Sequence, residues 1–111
     1  MLKLAALIVG AGCLIATSPS YADCDLGDVV GYTLIAQKTV SGFVDLKKQK
    51  RSDNYEGCDY DRVLLFNDGS GVKCTSYSYH YAYNPDAFIF ARGNIMKACI
   101  DDDFVDVVAL R

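Results

Sequence analysis

The sequence predicts a small all-β domain of about six strands, stapled by disulfides and preceded by a secretory leader. Three observations carry this prediction: β-prone residues recur in short runs, turn-forming residues separate those runs, and four cysteines follow the first 22 residues. No run shows a convincing helical period. We expect an SH3-like barrel or a curled meander, because a closed sheet has no exposed edges, with a small β-sandwich as the alternative.

Residues 1–22 have the pattern of a cleaved signal peptide. A lysine near the start provides the charge, Leu4 to Ala16 form the apolar region, and Ser20-Tyr21-Ala22 supplies the small residues that a signal peptidase requires. The 13 residues of the apolar region are too few for a membrane anchor, because a spanning helix needs roughly 20. Lipid attachment at Cys13 is a further alternative, although Gly10 stands where lipoprotein signals carry Leu. We expect a secreted domain without a membrane anchor, which in a Gram-negative bacterium is periplasmic.

The mature domain, residues 23–111, carries a net negative charge. One of the 11 basic residues, Lys3, belongs to the leader, so 14 acidic side chains stand against 10 basic ones. Lys47-Lys48 and Lys50-Arg51 lie in one polar stretch and form no wider basic face for phosphates. Nucleic acid is therefore not an expected partner. The core of so short a domain is marginal, which makes stabilisation by disulfides expected.

The first half of the mature chain predicts one long strand, or two short ones, followed by a loop. Val29 to Asp45 is rich in β-branched and aromatic residues, with Gly31 and Gly42 as bend or bulge points. Leu46 to Gly57 is polar and charged, with hardly any apolar residue to bury. We expect a surface loop there, either a plain solvated connection or a binding loop of Lys and Arg side chains.

Residues 61–83 predict a central hairpin. Arg62 to Phe66 is β-prone, and Asp68-Gly69 then provides a two-residue turn. Beyond the turn, residues 75–83 alternate tyrosines with smaller or less apolar side chains. This period of two is typical of a strand and does not fit a helix.

The last third of the chain predicts three more strands. Ala87 to Arg92 is a short apolar run between the turn residues Asn84-Pro85 and Gly93-Asn94, which fits a strand covered on both faces. Ile95 to Ile100 and Phe104 to Leu110 form the final two strands. With the earlier segments, these runs make the meander that we expect to curl or close.

Strand geometry favours disulfides between Cys24 and Cys99 and between Cys58 and Cys74. With a two-residue hairpin turn, Cys58 lies about 16 Å from the position opposite Cys74, if the strand continues straight. Bridged Cα atoms lie within roughly 7 Å, so this bond requires the chain to turn back near Gly57. A bond between Cys74 and Cys99 would require the sheet to close into a barrel. It remains an alternative to the favoured pairing.

The sequence offers little material for catalysis or for a bound metal or cofactor. His80 is the only histidine, and no free thiol accompanies it once four cysteines are paired. A zinc site would use a close cysteine pair or a second histidine. Asp101 to Asp103 lacks the spaced ligands of calcium loops and fits a solvated turn. We therefore expect no catalytic residue, no metal ligand and no cofactor, and the alternative is a small enzyme or metal-dependent protein that uses His80 and nearby carboxylates.

The tyrosine row is the motif with functional promise. Four rings project from one side of an extended segment: Tyr77, Tyr79, Tyr81 and Tyr83. Aromatic rings with a polar tip make good contacts with another protein, a peptide or a glycan. The competing interpretation is that the rings pack over the core of the domain itself. We expect a binding or protein-interaction module, of which an inhibitor of another protein is one form, and the oligomeric state stays open.

Five short stretches of the mature chain carry a resemblance to known proteins. They are Cys24 to Gly31, Glu56-Gly57-Cys58, Arg62 to Asp68, Gly71 to Cys74 and the tyrosine-rich segment that ends at Asn84-Pro85. In these stretches the protein resembles small secreted proteins of Gram-negative bacteria, and the resemblance extends over most of the mature chain. The resemblance implies a periplasmic location, and it implies no activity and no site residues.

Overall fold

The computed structural model describes residues 24–110 as an antiparallel β-barrel with one additional strand. A short 3-10 helix, Leu26–Val29, precedes the sheet. The strands are β1 (Thr33–Asp45), β2 (Lys50–Ser52), β3 (Arg62–Phe66), β4 (Gly71–Cys74), β5 (Asp86–Arg92), β6 (Ile95–Ile100) and β7 (Asp103–Ala109). The order β1-β3-β4-β7-β6-β5 returns to β1 and closes the sheet, while β2 pairs with the end of β1. The predicted all-β class and small barrel are confirmed, and the sandwich alternative is wrong.

The predicted leader and its cleavage site lie outside the residues that the structure describes. Within residues 24–110, no helix combines the length and the apolar character needed to cross a membrane. At the start of the described residues, Cys24 is buried and bonded to Cys99, which ties this end of the chain to the barrel.

β1 closes the barrel because it is long enough to pair with three neighbours. Residues 33–39 pair with β5, and the second half of the strand pairs with β3 on one side and β2 on the other. Register shifts before Ala36 and before Gly42 bend the strand between these roles. A Cβ atom at Gly42 would overlap the backbone of Ser52, so glycine permits the close approach of β2. The predicted bulge at Gly42 is confirmed, although the strand begins later than Val29, which belongs to the 3-10 helix.

β5 contributes to two hydrophobic cores, one on each face. Ala87 and Ile89 belong to the main core of the barrel. Phe88 and Phe90 belong to a second buried cluster, in which they join Val29 of the 3-10 helix. This arrangement explains the continuous apolar run in the sequence and confirms a strand covered on both faces.

The two disulfides have the pairing that strand geometry favours. The bond between Cys24 and Cys99 joins Cα atoms 6.2 Å apart, and the bond between Cys58 and Cys74 joins Cα atoms 5.6 Å apart. The second bond requires the chain to turn back before β3. Gly57 makes that turn with a φ of +86°, a left-handed conformation that glycine adopts without a steric cost.

The turn between β3 and β4 has three residues, Asn67-Asp68-Gly69, and the predicted two-residue turn is wrong. The N–H of Phe66 donates to the carbonyl oxygen of Ser70 at 2.8 Å, which closes the loop one residue earlier on β3. Gly69 has a φ of +89°, as expected for the left-handed residue that ends a three-residue hairpin loop. The register moves by one residue, so that Val63 pairs with Lys73.

Candidate binding surface

Three connections leave the barrel at the same end. Because neighbouring strands are antiparallel, residues 46–61, residues 75–85 and the β6–β7 turn at 101–102 all lie there. The first connection is more ordered than the predicted surface loop, since it contains β2 and the fully buried Tyr55. The second connection is not the long strand that the alternation predicts. β4 ends at Cys74, and the chain then crosses to β5, which β7 and β6 separate from β4 in the sheet.

The tyrosine segment, residues 75–83, pairs with residues 55–58 through two isolated bridges. Tyr55 and Ala82 exchange two backbone hydrogen bonds, each 3.0 Å long, and Cys58 and Ser78 exchange two more of 2.9 and 3.0 Å. A Cβ atom at Gly57 would overlap the carbonyl oxygen of Ser78, so glycine is required between the two bridges. The disulfide at Cys58 therefore holds the tyrosine segment as well as the residues that pair with it.

A buried ion pair positions residues 55–58. The guanidinium of Arg62 donates to both carboxylate oxygens of Asp45, at 2.6 and 2.9 Å, and lies over the ring of Phe43, 3.9 Å from its centroid. Its remaining nitrogen donates to the carbonyl oxygens of Glu56 and Gly57 at 3.4 and 3.3 Å. The hydrogen bonds from the Arg62 guanidinium to the Asp45 carboxylate hold the pKa of Asp45 below its ordinary value. The sequence predicted no role for this pair, because no local pattern connects partners that lie 17 residues apart.

The four tyrosines of the row share one exposed surface, which we call the tyrosine face. Their exposed fractions are 63% for Tyr77, 69% for Tyr79, 56% for Tyr81 and 73% for Tyr83. The residues between them are partly buried, so the alternation in the sequence corresponds to an alternation of outward and inward side chains. The competing interpretation, in which these rings cover the core of the domain, is wrong.

His80 fastens the inner side of the tyrosine segment to the β6–β7 turn. Its Nε2 atom lies 2.7 Å from a carboxylate oxygen of Asp101, and its Nδ1 atom lies 3.3 Å from one of Asp103. Asp101 and Asp102 both have positive φ, at 48° and 79°, as a two-residue hairpin turn of type I′ requires. The structure therefore brings His80 to the nearby acidic residues that the sequence suggested, in a solvent-exposed contact between two connections.

This arrangement leaves neither ring nitrogen of His80 directed at open solvent, because each faces a carboxylate. A general base needs one nitrogen free for the substrate or the nucleophile. The geometry of this contact is instead that of a structural contact between two connections. Among residues 24–110, no group of three or more His, Cys, Asp and Glu side chains is arranged to hold a metal ion.

Tyr55 is the side chain in this region that the sequence analysis missed. It is the one aromatic residue in the polar stretch from Leu46 to Gly57, and it is 0% exposed. Burial raises the pKa of its hydroxyl above the ordinary range. Within the described part of the chain, that hydroxyl and the hydroxyl of Ser78 are buried and have no hydrogen-bond partner.

We expect Tyr55→Phe to leave the domain as stable as the wild type or to stabilise it. The ring keeps its packing, and the variant removes a buried hydroxyl whose unsatisfied desolvation costs on the order of 1–3 kcal/mol. Urea denaturation of both proteins measures the difference. Tyr55→Ala is the control, and it should lose about 3–5 kcal/mol as a large buried ring is truncated. A loss of more than about 1 kcal/mol in Tyr55→Phe would show that the hydroxyl has a partner.

The three lysines of the first connection are paired with acids of the same domain. Lys47 contacts Asp61 at 2.9 Å and Lys48 contacts Asp59 at 3.4 Å. The first of these contacts helps to hold the pKa of Asp61 below its ordinary value. A cleft of about 190 Å³ lies among these residues, lined by Asp45, Lys47, Lys48, Asp59, Tyr60 and Asp61. The loop therefore presents a mixed surface, which weakens its interpretation as a binding loop for anions.

Comparisons of the chain with protein-family models, with curated proteins and with solved structures find no match.

Proposed function

We propose that this domain is a secreted binding module that recognises a protein or peptide partner through the tyrosine face. In a Gram-negative bacterium it would act in the periplasm, where its two disulfides can form. Blocking the partner, as an inhibitor does, is one way in which such a module acts.

The observation that carries this proposal is the exposure of four neighbouring tyrosine rings on an anchored segment. Large apolar side chains that lie together at the surface mark interaction sites more often than isolated ones do. Tyrosine is suited to such contacts, because it offers a large contact area with few rotatable bonds and a hydroxyl for hydrogen bonding. The backbone bridges to residues 55–58, the disulfide at Cys58 and the contact of His80 hold the segment in place. A rigid platform loses little conformational entropy when it binds.

The alternative of a small enzyme that uses His80 is supported less well. The carboxylates of Asp101 and Asp103 contact the two ring nitrogens of His80, one of which a substrate would need. Within residues 24–110, His80 lines neither the cleft at Asp45 and Lys48 nor the two clefts beside Met96 and Val108.

Replacing Tyr79 and Tyr81 by Ser should abolish capture of the partner and leave the fold intact. Exposed side chains away from the core contribute within about 0.5 kcal/mol each, so the melting temperature should change by a few degrees at most. The wild-type domain and the double variant would be immobilised and exposed to the exported-protein fraction of the source organism. Proteins retained by the wild type are identified by mass spectrometry and their affinities measured with purified material.

Tyr60→Ser is the matched control, because Tyr60 is also exposed and lies in the first connection, outside the tyrosine face. It should retain the partner that the double variant loses. Equal retention by all three proteins would contradict the proposal, as would a large loss of stability in the double variant, since that loss would show that the rings stabilise the fold.

A further inference from the structure

We infer that the tyrosine face takes an extended cationic peptide segment, which adds as a strand to the free edge of residues 77–83. This inference rests on the proposed function and names the class of partner. Three features carry it: the direction of the backbone groups, the sign of the surrounding charge and the spacing of the rings.

The backbone of the tyrosine segment is paired on one edge. In an antiparallel pair, alternate residues direct their N–H and C=O groups to the partner and the residues between them direct theirs away. Ser78 and Ala82 direct theirs to residues 55–58, in two bridges whose registers differ by one residue. Within the described part of the chain, the N–H and C=O groups of the four tyrosines form no hydrogen bond with the protein. These groups form a second edge, and an extended peptide can pair with it as an added strand.

The tyrosine segment is bordered by the first connection, whose charges are mixed, and by the β6–β7 turn, which is acidic. In the first connection, Asp53 is exposed, and Glu56 lies 3.8 Å from Lys50 in a partly exposed ion pair. The β6–β7 turn, which His80 contacts from the inner side of the segment, contributes three consecutive exposed aspartates, residues 101–103. Among the described residues, the ion pairs of Asp101 and Asp103 are both with the single side chain of His80, so the three carboxylates of this turn outnumber the one imidazole that contacts two of them. Arg and Lys side chains therefore complement this end of the barrel.

Ring spacing matches the spacing of an added strand. Alternate residues of an extended chain lie ~6.6 Å apart, so four rings at alternate positions meet side chains at alternate positions of a strand beside them. A guanidinium or ammonium group attracts the face of a tyrosine ring, and arginine stacks on such a ring over its planar surface. A peptide with cationic residues at every second position would place them along the row. An acidic or neutral peptide would lack this attraction.

The probe is an acetylated and amidated decapeptide of alternating Arg and Thr, titrated into the full mature domain at low salt. Isothermal titration gives the affinity, and backbone NMR shows which amides respond. We expect micromolar binding, the largest shifts at the amides of Tyr77, Tyr79, Tyr81 and Tyr83, and a loss of about tenfold or more at 0.5 M salt, because exposed charges are screened. The same peptide with Glu in place of Arg should not bind.

Two further peptides test the backbone pairing. One peptide is N-methylated at the backbone nitrogen of every arginine, and the other at the backbone nitrogen of every threonine. The backbone groups of one of these two sets must face the free edge. At least one should therefore lose binding by about tenfold. Equal affinities of both methylated peptides and the parent would overturn strand addition.

Matched variants test the charge. Asp53→Asn with Asp102→Asn removes two acidic charges beside the face, and asparagine tolerates the positive φ of residue 102. This variant should bind the Arg peptide about fivefold more weakly. Asp68→Asn with Asp106→Asn removes the same number of charges from the β3–β4 turn and from β7, and it should bind as the wild type does.

The outcomes separate this inference from the proposed function. No binding of the Arg peptide, equal binding of the Glu peptide, or binding of a neutral chito-oligosaccharide instead would overturn the cationic segment and leave the tyrosine face to the capture experiment. Equal binding of the Arg peptide by the Tyr79→Ser, Tyr81→Ser variant would show that the peptide binds elsewhere, which overturns the cationic segment at this face, whereas the proposed function fails only if the capture experiment fails.

Discussion

Reduction of both disulfides is expected to unfold the domain at physiological temperature. In the chain-entropy model, a bond across 16 residues, as between Cys58 and Cys74, contributes ~3 kcal/mol. The bond between Cys24 and Cys99 spans 75 residues and contributes ~4.5 kcal/mol on the same scale. A domain of this size has a total stability of roughly 5–10 kcal/mol, so losing both bonds removes most of it.

Thermal melts with and without strong reductant measure this loss, with free thiols counted to confirm reduction. Two alanine variants separate the bonds. Cys58→Ala with Cys74→Ala should also increase hydrogen exchange in residues 55–58 and in the tyrosine segment, because that bond holds their pairing. Cys24→Ala with Cys99→Ala should increase exchange in the 3-10 helix and leave the tyrosine segment protected. An unchanged melting temperature after full reduction would refute the expected contribution.

The strands of the second half follow from the sequence because local signals define them at both ends. Asn84-Pro85 and Gly93-Asn94 are turn residues by their backbone preferences, and the apolar run between them has the length of a strand. Both faces of β5 are buried, so its side chains need no alternation, and the run reads as a covered strand. Strand geometry favoured the observed cysteine pairing without deciding it. The bond between Cys58 and Cys74 depended on a reversal at Gly57 that the sequence made feasible, and that reversal does not depend on the hairpin register, which is wrong by one residue.

The tyrosine segment shows what a local pattern leaves undetermined. A period of two indicates an extended chain, yet it identifies neither the pairing partner nor the side that faces inward. Ser78 and Ala82 are small enough to lie against residues 55–58, where Gly57 permits a close approach. The larger rings therefore face outward, although large apolar side chains more often lie inside. Tyr55 takes the inner position from a stretch whose composition gives no sign of burial.

Breaking the ion pair between Arg62 and Asp45 should be the most destabilising single change among the charged residues of the barrel end. Arg62→Met leaves a carboxylate buried without its partner, and it also removes the donors to the carbonyl oxygens of Glu56 and Gly57. Loss of one partner of a buried pair costs about 3–5 kcal/mol. Asp45→Asn should cost less, because the amide oxygen can still accept from the guanidinium. The double variant should cost less than the two single variants together, and urea denaturation of all four proteins gives the coupling between the residues.

The pH dependence of stability provides a second measurement on the same pair. Hydrogen bonds from Arg62 hold the folded pKa of Asp45 below its ordinary value of 3.8. Because the folded pKa is the lower one, this stabilisation is fully present above about pH 4 and is lost as the pH falls from there toward the folded pKa. Asp45→Asn has no group to protonate at this position, so its stability should fall less steeply than that of the wild type below pH 4. The difference between the two profiles isolates Asp45 from the other carboxylates with lowered pKa, such as Asp61. Parallel profiles, together with a loss below about 1 kcal/mol in Arg62→Met, which is the range of an exposed pair, would show that the ion pair does not hold the first connection in place.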